Sequence, residues 1–185
     1  YAKDLDDQVR TWVAGHPADT EDLSAWRSLE AGIRVGSSWP AALGAMKASR
    51  SFTDQAWLLF LRSIREHAEY LIANKRSNNW LLKETNGLIT CGLYFPEFRD
   101  AAKWVRIGIE RLENEVRAQV HPDGAHIEYS TGYHFFSNES LSLSLDRFDR
   151  VMATPYRESF PEDMPAFSDT YRERMELMWE HAMYM

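Results

Sequence analysis

The 185-residue chain has one cysteine, Cys91, so it can form no internal disulfide and build no thiolate metal site. It has no basic tract. Its 21 basic residues stand against 28 acidic ones, for a net charge of −7, which argues against a nucleic-acid backbone as partner. No apolar run approaches the roughly 18–20 residues of a membrane span. A leader is missing too: Tyr1 opens a polar, acidic stretch without an initiator Met, so the chain reads as a processed or trimmed segment of a longer protein. There is no glycine-rich phosphate loop, no nucleophile elbow and no HExxH pair. No repeat with a fixed signature recurs. What is present is 13% aromatic and 26% charged residues, a balance that excludes disorder and supports a buried core.

The dominant period is helical. Ala101, Trp104, Val105, Gly108, Ile109, Leu112 and Val116 recur at spacings of three and four, with Arg106, Glu110, Arg111 and Glu113 on the opposite face. Trp57, Phe60, Leu61, Ile64, Ala68 and Leu71 repeat the pattern behind Thr53 and Asp54, which suit a helix start. Shorter stripes predict helices over about 26–33, with Gly36 and Pro40 ending it and opening the next, over 80–94, stopped at Pro96, and over 171–182. Leu141, Leu145, Phe148 and Met152 predict another, although alternation from Leu141 to Leu145 also fits a short strand. The fold class is all-α, built of antiparallel helix hairpins. Thr154 to Phe167, with Pro155, Pro161 and Pro165, reads as a Pro-rich acidic connection. It divides a unit over 1–153 from a further helix over 168–185.

One geometric step locates a site. Phe95-Pro96-Glu97 can only turn the chain, so the helices on either side run antiparallel. Residues 74–80 and the turn around His121-Pro122-Asp123-Gly124 then share one end of the domain. Both stretches are rich in groups that can do chemistry. Asn74 to Trp80 carries Arg76, Asn78 and Asn79, with Lys83 and Glu84 one turn further on. Either an asparagine caps the helix, or amide and cationic groups at a helix start receive an anion. The second stretch carries His121, His126, Glu128, Tyr129, Tyr133 and His134. Its histidine spacings match no zinc pattern, so no metal is expected.

At these clusters the sequence resembles the heparinase II/III and oligoalginate lyase superfamily. Asn78-Asn79-Trp80-Leu81-Leu82, Glu84-Thr85-Asn86-Gly87-Leu88 and Leu93-Tyr94-Phe95-Pro96-Glu97-Phe98 are similar to the family's Asn-Asn-His/Trp-Leu-Leu helix and Phe-Pro-Glu turn. Gln119, Pro122-Asp123-Gly124, His126, Glu128, Ser130 and Tyr133-His134 follow in family order. Trp26-Arg27, Gly32-Ile33-Arg34 and Trp39 match earlier elements. The resemblance implies part of an incomplete α/α toroid preceding a C-terminal β-sandwich region, in a periplasmic or secreted protein. It implies β-elimination on an acidic polysaccharide or oligosaccharide of heparan or alginate type, with no cofactor in this segment. Carried over residue by residue, Asn79 binds the uronate carboxylate and Tyr133 moves the proton. Trp80, Arg76, Lys83, His126 and His134 are the expected substrate-binding residues. Trp80 stands where several members keep a catalytic His. Hydrogen bonds on the carboxylate stabilise the charge that develops as the neighbouring proton leaves. A free phenol titrates at about pH 10, so a tyrosine base needs cations nearby. A non-catalytic module that binds acidic glycans or supports a neighbouring domain is the competing reading, and a helical interaction scaffold is a third.

Overall fold

The computed structural model describes residues 1–18, 23–46 and 49–185. Its helices are α1 (Ala2–Gly15), α2 (Ser28–Ile33), α3 (Trp39–Met46), α4 (Asp54–Ala73), α5 (Asn78–Tyr94), α6 (Ala101–Gln119), α7 (Thr131–Met152) and α8 (Asp169–Ala182). Short 3₁₀ turns precede α2 and follow α7. Among the described residues the only β feature is an isolated antiparallel bridge between Val120 and His126.

α5 is the central element. Leu81, Leu82 and every residue from Glu84 to Leu93 are buried, so it is enclosed on all sides. One side, with Leu88 and Cys91, joins a core built from α1, α4, Trp26, Val35 and Leu43. The other, with Leu82, Ile89 and Leu93, packs on the apolar stripe of α6 and on Leu141, Phe148, Tyr171 and Met178 of α7 and α8. Two short connections, 74–77 and 95–100, fold α4, α5 and α6 back and forth as the Phe-Pro-Glu turn predicts. Thr53 caps α4, its hydroxyl accepting from Ala56 N at 3.3 Å. Asp6 of α1 holds that cap, accepting from Thr53 N and Oγ1 at 2.7 Å each and from Arg10 at 2.7 Å.

Three readings are sharpened by the structure. Pro40 stands in the first turn of α3, as expected, but Gly36 does not break the chain: α2 runs into a π turn over Arg34–Ser38 and on into α3. Pro40 offers no N–H, and the wider turn accommodates that loss without stopping the helix. Gly32 fits there because α2 crosses α5 at Gly87, with no room for a Cβ on either glycine. The Leu141–Leu145 alternation belongs to α7, not to a strand, and α7 begins at Thr131. Ser144 faces α5 there, donating to Asn86 Oδ1, while Ser142 meets Met175 and Trp179 of α8. Finally, the Pro-rich connection is docked. Phe160 and Phe167 are buried in the α6–α7–α8 core, Arg106 pairs with Asp163 at 2.7 Å, and α8 packs antiparallel on α7.

Candidate active site

The stretch between α4 and α5 is fixed from beneath. Glu84, fully buried in the second turn of α5, accepts from the backbone N–H of Arg76 at 2.9 Å. Arg111 of α6 donates to the carbonyls of Leu71 and Ile72 at 3.0 and 3.1 Å, closing the C-terminal end of α4 where a cation is favoured. Burial lowers the Arg111 pKa, and the charges of Glu84 and Glu110 oppose that. The helical period places Arg111 on a solvated face; the structure makes it a half-buried brace for the loop. Ser77 occupies the N-cap position of α5 without a side-chain bond. Asn78 takes φ +57°, in the left-handed region that asparagine tolerates better than most residues. Asn79 therefore does not cap: its half-buried amide has no hydrogen-bond partner among the described residues.

The facing stretch is a tight hairpin. His121 N donates to Ala125 O and Ile127 N to Gln119 O, both at 2.9 Å. At Gly124, φ is +86°, and a Cβ would collide with the Leu177 backbone of α8, so only glycine serves. Arg174 of α8 donates to the His121 carbonyl. Tyr129 has φ +49°, a strained value for a bulky side chain, and its hydroxyl lies 2.9 Å from His121 Nε2. Asn78 and Tyr129 are the non-glycine residues with positive φ among those described, one in each stretch.

The two stretches come to the same end because α5 and α7 run parallel. Lys83 Nζ lies 4.5 Å from the Phe136 ring, Asn86 bonds Ser144, and Thr90 accepts from Arg147 at 2.7 Å. Followed back one turn, this register sets Asn79 beside the start of α7, where Tyr133 stands 47% exposed with no partner for its hydroxyl among the described residues.

The remaining expected residues divide. Arg76 and Trp80 line one cavity with Arg27, whose guanidinium carbon lies 5.3 Å from the Trp80 ring centre. Lys83 does not join them. It lines a different cavity, on the Gly32 and Gly36 side, and burial lowers its pKa. His126 and His134 lie inside. His126 Nε2 meets Gln119 Oε1 at 3.2 Å and its Nδ1 accepts from Glu128 N at 3.3 Å; burial lowers its pKa. His134 is fully buried with Nε2 2.9 Å from the Met178 carbonyl, which ties α7 to α8. Both histidines thus brace the site wall rather than face a groove. Spacing missed this because burial of a lone histidine depends on what packs over it. Among the described residues no three His, Cys, Asp or Glu side chains group closely enough to hold a metal ion, and no helix is long and apolar enough to cross a membrane.

Comparison with known proteins adds a consistent set of likenesses. The family described as Heparinase II/III N-terminus matches residues 1–185. A heparin-sulfate lyase of Pedobacter heparinus is 29% identical over 166 residues, covering 88% of this chain and 25% of that protein. A heparin-sulfate lyase of Bacteroides thetaiotaomicron is 30% identical over 138 residues, covering 72% of this chain and 20% of its own length. The crystal structure of the heparan sulfate lyase HepC from Pedobacter heparinus superposes with a TM-score of 0.79 at 27% identity, over 99% of this chain and 28% of that one. A heparinase III structure gives a TM-score of 0.80 at 28% identity, over 98% of this chain and 30% of that one. The chain thus spans about a quarter of the length of these curated relatives. Its arc of helix hairpins is part of an incomplete α/α toroid.

Proposed function

The chain belongs to the heparinase II/III family, and from that premise we propose that it is the N-terminal toroid region of a polysaccharide lyase acting on a heparan-type glycan by β-elimination. The observation that carries this reading is the parallel register of α5 and α7, which sets an uncommitted amide, Asn79, at the same end as an uncommitted phenol, Tyr133. The relatives that match are named as heparin-sulfate lyases, which favours heparan over alginate as substrate class.

In this reading the Asn79 amide donates to the uronate carboxylate and steadies the charge that builds as the α-proton leaves. Tyr133 takes that proton, and the electron pair of the C–H bond becomes the new C=C as the bond to the glycosidic oxygen breaks. The departing oxygen takes up a proton, from the same tyrosine or from a group elsewhere in the protein. Electrons are neither gained nor lost overall, so the step calls for no redox cofactor. Trp80 supplies an aromatic wall and no proton, so any proton step that relatives assign to a histidine at that position falls to another group. A β-sandwich region following the toroid and a periplasmic or secreted location complete the proposal.

The test is ultraviolet absorbance of unsaturated uronate ends, measured on the full-length protein with heparan sulfate. Turnover is expected, and Tyr133→Phe should abolish it while oligosaccharide binding persists. Unchanged turnover in Tyr133→Phe sinks the catalytic assignment. Glycan binding without turnover on any uronate polymer favours the non-catalytic module instead.

A further inference from the structure

A second feature at this end of the domain lies beside Asn79 and Tyr133 rather than between them. Trp26, Arg27 and Ser28 at the entry to α2, Tyr70 and Asn74 at the end of α4, and Arg76 and Trp80 enclose a cavity of about 190 Å³. That is below the roughly 300–1,000 Å³ of a pocket that encloses a whole small molecule, and it suits one charged substituent of a larger chain. We propose that this cavity is a subsite for an anionic substituent, a sulfate or a carboxylate, on the sugar next to the one that reacts. The inference deepens the lyase reading and rests on it.

Three observations carry it. The hydroxyl of Ser28, a residue only 4% exposed, is buried without a hydrogen-bond partner among the described residues. A donor in that state costs free energy unless something pairs with it, and Ser28 lines this cavity. Among the described residues the Arg76 side chain has no carboxylate within ion-pair distance and no hydrogen-bond partner: its backbone N–H donates to Glu84, and the residue lines the cavity. Glu84 is itself faced by Arg111, so it does not neutralise Arg76 alone. The third is the state of Arg27. It pairs with Glu30 through one contact of 3.3 Å, with both side chains more than a third exposed. So exposed a pair is weak, and an incoming anion that accepts from two guanidinium groups and a hydroxyl competes well for it. The Trp80 ring, already covered by Arg27, offers an apolar face to the sugar carrying the charge.

The test uses the full-length protein with Arg27→Gln, Arg76→Gln and Ser28→Ala, on heparan sulfate and on its unsulfated precursor polymer. Each arginine variant is expected to raise KM about tenfold with kcat changed by less than about threefold. A rise on the sulfated polymer alone identifies a sulfate as the ligand, and an equal rise on both identifies the carboxylate. Unchanged KM on both, or a loss confined to kcat, overturns the subsite. If the wild-type protein turns over no uronate polymer, the lyase reading fails and calorimetric binding of a sulfated tetrasaccharide decides this one. Affinity lowered about tenfold in Arg76→Gln supports it, and equal affinity overturns it. Ser28→Ala separates ligand from structure. Removing an unpartnered buried hydroxyl should leave the melting temperature unchanged or higher while weakening binding several-fold; retained affinity refutes the serine's role.

Discussion

Replacing glycine by alanine should have opposite effects at two helical positions. Gly44 lies within α3 and Gly87 within α5. In a helix interior the change is worth about 1 kcal/mol of stabilisation, because alanine loses less backbone freedom on folding. A Cβ at Gly44 would meet nothing within 4 Å, so Gly44→Ala should deliver most of that gain. A Cβ at Gly87 would lie 2.7 Å from the Gly32 carbonyl oxygen and 2.8 Å from its Cα. Both are backbone atoms of the crossing helix, so no side chain can swing aside. Overpacking of this kind costs about 1–3 kcal/mol, and the rigidity of the obstacle favours the upper half. Net of the propensity gain, Gly87→Ala should destabilise by about 1–2 kcal/mol. For a domain of this size each kcal/mol moves the melting temperature by about 2–4 °C. Thermal unfolding followed by circular dichroism at 222 nm should rise by about 1–4 °C for Gly44→Ala and fall by about 2–8 °C for Gly87→Ala. Because α2 begins at Ser28, displacement at this crossing should also open the cavity between Ser28 and Trp80. A shift of the same sign and size in both variants would refute the close-crossing argument.

Other expectations concern buried ionisable groups and the docked connection. His67, fully buried, has its pKa lowered to about 3 by burial, and Arg34 Nη1 meets its Nε2 at 2.8 Å. Below about pH 6.5 the unfolded chain takes a proton that the folded one refuses, so stability falls as pH drops from there toward about 3. Between pH 7 and pH 5 the wild type should lose about 2 kcal/mol more than His67→Gln in urea unfolding; parallel curves would contradict this. The Asp6 pKa is lowered, chiefly by the Thr53 backbone N–H. Its contribution is present above the ordinary value of 3.8 and is lost as pH falls through the lower folded value. Asp6→Asn should therefore be less stable than wild type at pH 7, with the gap closing below about pH 4; a constant gap in denaturant midpoints argues against that role. Phe167, 4.6 Å from Tyr171 and 5.6 Å from Phe148 between ring centres, should cost about 3–5 kcal/mol as Phe167→Ala. Limited trypsin digestion should then cut at Arg157, and continued resistance there would count against docking of the 154–167 connection.

Much of the fold is legible where one helix face is apolar and the other charged. The stripes of α4 and α6 locate those helices within a few residues of the observed ends. α1 is harder to see, although Leu5, Val9, Trp12 and Val13 keep helical spacing, because Asp4, Asp6 and Asp7 make the stretch read as a polar tail. The first third of α7 is hidden for a different reason. Its inward residues are His134, Ser137 and Asn138, all buried, so no apolar period marks the buried face. Of the candidate site, Asn79, Trp80, Arg76 and Tyr133 are legible as polar or aromatic groups at two ends that one short turn brings together. Arg27, Ser28 and Arg111 are not. Each reaches the site across a gap of many residues, which no local pattern announces.

The sequence by itself determined the helical class, the reversal at Phe95-Pro96-Glu97 and the common end shared by residues 74–80 and 121–134. These follow from local periodicity and from how little chain a turn of three residues can span. Only the tertiary structure decided which side chains at that end face outward. His126 and His134 turn inward because the Gln119 amide oxygen and the carbonyl of Met178 engage them. Lys83 leans on Phe136 away from Arg76. Arg27 and Ser28 arrive beside Trp80 because Gly32 and Gly87 let α2 approach α5 to backbone contact. Burial and hydrogen-bond partnership are properties of what packs over a residue, and that is set by contacts far apart in the chain.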